Sequence, residues 1–139
     1  MPHAAERDPL SAHVIRCAVA VHTALGPGLL ESAYTRCLAL ELRLSALRYR
    51  EQVGVSVHYK GLQIDGAYRL DFVVDGSVIV EVKSVERLTR LHEAQLLTYM
   101  RLSAIPVGLL LNFNCARLVA GVRRLMLKPS SHPCTRAGV

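Results

Sequence analysis

The chain has 139 residues, 51% hydrophobic and 5% aromatic, which fits one domain with an aliphatic core and excludes disorder over most of its length. Seventeen Lys and Arg against eleven Asp and Glu leave a net charge of +6; this suits an anionic partner such as nucleic acid, but arginines scattered over many elements also describe a plain solvated surface. Cys17, Cys37, Cys115 and Cys134 form no CxxC pair, and no apolar run approaches the ~20 residues that span a membrane, so reduced thiols, a cytoplasmic location and no membrane partner are expected.

Residues 1–10 are polar, contain two prolines, and read as a loose arm, with Ser11 as the N-cap of a first helix. Val14, Ala18, Val21 and Leu25 then recur at helical spacing, and Gly26-Pro27-Gly28 ends the helix. A second helix is predicted over Leu29 to Leu44, with Leu29, Ala33, Cys37, Leu40 and Leu44 as its apolar stripe. Glu31 falls in its first turn, where the helix dipole alone would favour a carboxylate.

After Arg48 the period becomes two: Val53, Val55, Val57 and Tyr59 alternate with small or polar residues, as in a half-buried strand. Lys60-Gly61 makes a turn, Ile64-Asp65-Gly66 carries turn chemistry, and strands over 62–74 and 77–83 flank the hairpin signal Asp75-Gly76. A helix over Thr89 to Leu102 follows, then the apolar run Val107 to Phe113, a strand buried on both faces, then a last strand within Arg117 to Leu127 and a disordered tail over 129–139. One domain over 11–128 results, an α/β fold with a mixed sheet and flanking helices in the order ααβββαβ, with a further β at the end.

The chemistry concentrates in Tyr68 to Ser84, where charged groups interrupt apolar strands. Glu81 and Lys83 are two apart and share a strand face, while Val78, Val80 and Val82 take the other. Unpaired burial of such groups costs several kcal/mol each, so they form either a structural salt bridge or a metal site. A three-residue loop, Val74-Asp75-Gly76, would pair Asp71 with Ile79 and make Asp71 and Glu81 diagonal neighbours on one face. Two carboxylates with water suit Mg²⁺ or Mn²⁺ better than zinc, and such an ion serves phosphodiester hydrolysis.

Gly28-Leu29-Leu30-Glu31-Ser32-Ala33-Tyr34, then Asp71, then Glu81-Val82-Lys83, then His92 to Tyr99 and Leu110-Leu111-Asn112-Phe113, resemble in the same order the GxxExxY family. That family is assigned to the PD-(D/E)XK superfamily of metal-dependent nucleases, and the resemblance covers residues 11–125. It implies a restriction-endonuclease-like core in which Asp71, Glu81, Lys83 and Gln95 are catalytic. Leu70 stands where the superfamily name has proline. The same resemblance implies that Glu31, Asp71, Glu81 and the carbonyl of Val82 hold Mg²⁺ or Mn²⁺, and that Tyr99 and His92 bind substrate. Gln95 and Tyr99 are similar to the QxxxY motif of RecB-type exonucleases; four apart, they share a helix face. The implied partner is nucleic acid, DNA ahead of RNA. In so short a chain a homodimer or partner subunit would help to grip a duplex. The alternative is a nucleic-acid- or protein-binding module that keeps the fold without useful catalysis.

Overall fold

The computed structural model describes residues 8–128. Most of the arm expected over 1–10, and the whole tail expected over 129–139, lie outside them. The order of elements is α1 (Pro9–Leu25), α2 (Glu31–Leu44), β1 (Tyr49–Tyr59), β2 (Leu62–Val74), β3 (Val78–Lys83), α3 (Arg90–Ser103), β4 (Val107–Asn112) and β5 (Val122–Met126). The fold is α/β with a mixed five-stranded sheet, as expected of a restriction-endonuclease-like core.

The strands lie in sequence order, β1-β2-β3-β4-β5. Neighbours are antiparallel except β3 and β4, which run parallel because α3 crosses between them. Alternation along the strands divides the core into two. Phe72, Val74, Val78, Val80, Val82, Leu109 and Leu111 face α1 and α2. Leu70, Val73, Ile79 and Leu110 face Leu96 and Met100 of α3. The run at β4 is buried throughout, which explains why it lacks polar alternation.

Several expected boundaries move. Asp8, not Ser11, caps α1: its carboxylate accepts from the Ser11 N–H, and Pro9 occupies the first turn, where its missing N–H costs nothing. Residues 8–10 therefore belong to the helix rather than to an arm. On α2 the buried residues are Tyr34, Leu38, Ala39 and Leu42, whereas Leu29, Leu40 and Leu44 of the expected stripe are exposed. Tyr34 displaced that stripe because its ring stacks on Phe113 at 4.6 Å, rotating the helix to bury the 34-38-42 line. Asp65 makes no chain reversal. β2 runs through it, with a register shift between Val55 and Val57, Gly66 at φ 63°, and Ser56 and Gln63 donating to its carboxylate. The final strand is limited to Val122–Met126 because a short 3₁₀ turn, Leu118–Gly121, precedes it.

Two expectations about polar residues hold. Buried His22 hydrogen-bonds the Cys115 carbonyl at 2.8 Å, tying α1 to the loop after β4. Asn112 closes β4 onto the segment after β3, accepting from the Val85 N–H and donating to the Val85 carbonyl. Cys17, Cys37 and Cys115 are free thiols, and Cys134 lies outside the described residues. No helix among the described residues is long and apolar enough to cross a membrane.

Candidate functional site

The site begins at the β2–β3 hairpin. Asp75 and Gly76 both adopt positive φ, 52° and 64°, and the Ser77 N–H bonds the Val74 carbonyl. This is the backbone that Asp-Gly favours, since glycine has no Cβ to clash in the left-handed region. The pairs that follow are Val74↔Val78, Val73↔Ile79 and Phe72↔Val80. The loop is therefore Asp75-Gly76-Ser77, shifted from the one expected: Val73, not Asp71, pairs with Ile79, and Asp71 follows the last pair, its N–H bonded to Glu81.

Beyond Phe72↔Val80 the ladder stops, and carboxylates replace carbonyls in the gap. The Asp71 N–H donates to Glu81 Oε2 at 2.9 Å, and the Val82 N–H donates to Asp71 Oδ2 at 2.8 Å. Each acid is thus anchored by the other strand's backbone, a charge-assisted bond that fixes its rotamer. A strand residue's N–H and C=O leave by the same edge. Since Val82 donates toward β2, its carbonyl opens on the same gap. The next residue alternates: the Lys83 carbonyl accepts from the Phe113 N–H, on the β4 side.

This pair is electrostatically unsatisfied. Burial, then repulsion from Asp71, pushes Glu81 from its ordinary 4.5 up to about 7, against the opposing pull of the Asp71 N–H, the Tyr68 hydroxyl and Lys83. Burial also raises Asp71, helped by Glu31 and opposed by the Val82 N–H, Lys83 and Gln52. Asp71 thus feels the charge of Glu31, and Glu81 that of Asp71, with the Lys83 ammonium opposing both.

Glu31 reaches the same region from α2. Its Oε2 accepts from the Ser84 N–H at 3.2 Å, while the Ser84 hydroxyl donates to the Leu29 carbonyl, clamping the start of α2 to the end of β3. An open groove lined by Glu31, Thr35, Arg36, Gln52 and Asp71 leads into the site. Among the described residues no three His, Cys, Asp or Glu side chains form a complete ligand set. The donors present are two hard carboxylates in a region of excess negative charge, with a carbonyl beside them. They fit a Mg²⁺- or Mn²⁺-like ion that keeps several waters.

The α3 residues separate. Tyr99 lies against the site, its ring stacked on Tyr68 at 4.1 Å and 12°, and burial, then the charge of Glu81, raises the pKa of its hydroxyl. Gln95 is exposed on the same helix. His92 sits in the first turn, where Nδ1 accepts from the Thr89 N–H and the Thr89 hydroxyl accepts from the His92 N–H, a reciprocal cap.

Two residues at the site escaped the sequence reading. Tyr68 donates its hydroxyl to Glu81 Oε1 at 2.9 Å. Gln52, a non-glycine residue at φ 53°, interrupts β1 opposite Asp71 and lines the groove beside it. Tyr68 was visible as an aromatic three residues before the acid, though strand alternation would have put it on the other face. Nothing in the sequence marked Gln52.

Comparison with known proteins identifies the family. The family model of the PD-(D/E)XK nuclease superfamily matches residues 8–125. No curated protein and no solved structure matches the chain. The chain belongs to the PD-(D/E)XK nuclease superfamily.

Proposed function

We propose that this PD-(D/E)XK chain is a Mg²⁺- or Mn²⁺-dependent nuclease that hydrolyses phosphodiester bonds, with DNA its first substrate. The observation that carries the reading is the pair of backbone bonds, Asp71 N–H to Glu81 and Val82 N–H to Asp71, which holds one buried and one half-buried carboxylate side by side with Lys83 acting on both. A protein that only bound phosphate would have no use for paired, water-shielded acids that repel it.

Asp71, Glu81 and the Val82 carbonyl would hold the ion, with Glu31 reaching it through water. When bound, the ion supplies a Lewis acid that lowers the pKa of water and offsets charge on the phosphoryl group. The chain's own residues supply the rest. Lys83 orients the nucleophile and counters negative charge as it develops. Gln95 and Tyr99, on one helix face, bond and position the phosphate and its neighbours, with His92 at the helix start nearby. The net charge of +6 assists encounter with a polyanion. Dimerisation or a partner subunit would supply the remaining grip on a duplex. The segments around Gly28-Glu31-Tyr34 and Gln95-Tyr99 agree with a GxxExxY-type, RecB-like member.

The test is cleavage of labelled single- and double-stranded DNA and RNA with and without Mg²⁺ or Mn²⁺, alongside Lys83→Ala. Metal-dependent cleavage of DNA is expected, reduced at least about a hundredfold in the variant. Binding without cutting under every condition would instead identify a nucleic-acid-binding module and end the nuclease reading.

A further inference from the structure

We infer that Tyr68 is a positioning residue for the acid pair: its hydroxyl, braced by the stack on Tyr99, sets the Glu81 carboxylate in the orientation that a divalent cation requires. The inference rests on the metal-site reading above and assigns a role to a residue outside the acid, acid and lysine set.

Glu81 is held at both oxygens. Oε2 accepts from the Asp71 N–H at 2.9 Å, and Oε1 accepts from the Tyr68 hydroxyl at 2.9 Å. A carboxylate offers about four lone-pair sites, so two remain, on a group that can no longer turn. Without the Tyr68 bond the carboxylate would pivot about its single tie to Asp71 and present its free lone pairs over a range of directions. Outer partners of this kind fix ligand orientation in metal sites.

Tyr68 is itself restrained. Its ring lies parallel to Tyr99 of α3, 4.1 Å between centroids and 12° between planes, and both pack on the α3-facing core that contains Leu70, Val73 and Leu96. The stack thus runs from α3 through one ring to the other and ends on the carboxylate. This couples α3, the helix that carries Gln95, to the Glu81 carboxylate through two stacked rings. Tyr68 touches neither cation nor substrate in this scheme; it acts through Glu81.

The experiment is calorimetric titration of Mn²⁺ alone into the full chain at pH 8, with melting temperatures measured in metal-free buffer. Wild type is compared with Tyr68→Phe, which keeps the ring and its stack, and with Tyr49→Phe, a control ring packed edge-on to Phe72 on the other side of the sheet. Tyr68→Phe is expected to weaken the Mn²⁺ Kd about tenfold or more, with Tyr49→Phe unchanged. Saturating Mn²⁺ should then restore cleavage in Tyr68→Phe but not in Lys83→Ala. If wild type binds Mn²⁺ and Tyr68→Phe binds it equally well, Tyr68 is merely structural and the inference fails while the nuclease reading stands, even if the melting temperature falls. If wild type binds no Mn²⁺, the metal-site reading fails and the inference falls with it.

Discussion

Asp71 concentrates the conflict between stability and chemistry in this molecule. Its Oδ2 bond to the Val82 N–H secures the β2–β3 gap, but its charge sits against buried Glu81 and raises that group. Asp71→Asn should separate the two effects, since the amide oxygen can keep the bond to Val82 while the charge disappears. In metal-free buffer at pH 8 the variant is expected to be more stable by about 1 kcal/mol, a rise of roughly 3–6 °C in melting temperature. It is also expected to lack the upward shift expected of wild type with Mn²⁺, because a ligand stabilises only what it binds. A lower melting temperature without metal, or an undiminished shift with it, would contradict this account of the site.

Among the elements, the α1–α2 corner shows how a short motif is built from separate physical demands. Gly28 adopts φ 102°, a conformation costly for any residue with a Cβ, and lets the chain turn into α2. Tyr34, one turn into that helix, is fully buried; its hydroxyl donates to the Gly26 carbonyl and accepts from the Leu29 N–H, so one side chain ties down the whole turn. Glu31 between them is thereby delivered to Ser84 at the end of β3. Tyr34→Phe should keep the stack on Phe113 but leave those backbone groups unpaired. The expected cost is about 1–3 kcal/mol, read as a lower urea midpoint at unchanged m-value. If the midpoint does not move, the turn is held by something other than this hydroxyl.

For the molecule as a whole, buried Glu81 and half-buried Asp71 make stability depend on pH in an uncommon direction. The Glu81 pKa rises from an ordinary 4.5 to about 7 on folding, and Asp71 also rises. The folded state therefore binds more protons than the unfolded chain over that window, and unfolding free energy falls as pH climbs through it. The contribution is fully present below about pH 4.5 and lost above about pH 7, amounting for Glu81 to about 3 kcal/mol. Urea unfolding in chelator should thus show less stability at pH 8 than the other titrating groups alone would give, with the deficit largely closed by Mn²⁺. A metal-free stability that rises steadily from pH 5 to 8 would mean that the pair is not strained as the geometry indicates.

Periodicity in the sequence determined the element order and the placing of Glu81 and Lys83 apart from Val78, Val80 and Val82, because these follow from side-chain directions that repeat every two or 3.6 residues. The polar exceptions Asp71, Glu81 and Lys83 were legible for the same reason: charge within an apolar strand has no local explanation. Tertiary structure alone decided the rest. A hairpin loop shifted by one residue ended the β2–β3 ladder at Phe72↔Val80, so that Asp71 and Glu81 meet just beyond it. Packing of Tyr34 against Phe113 rotated α2, and packing of Tyr68 against Tyr99 brought a hydroxyl to Glu81. Register, helix rotation and ring stacking depend on contacts between residues distant in the chain, which no local spacing encodes.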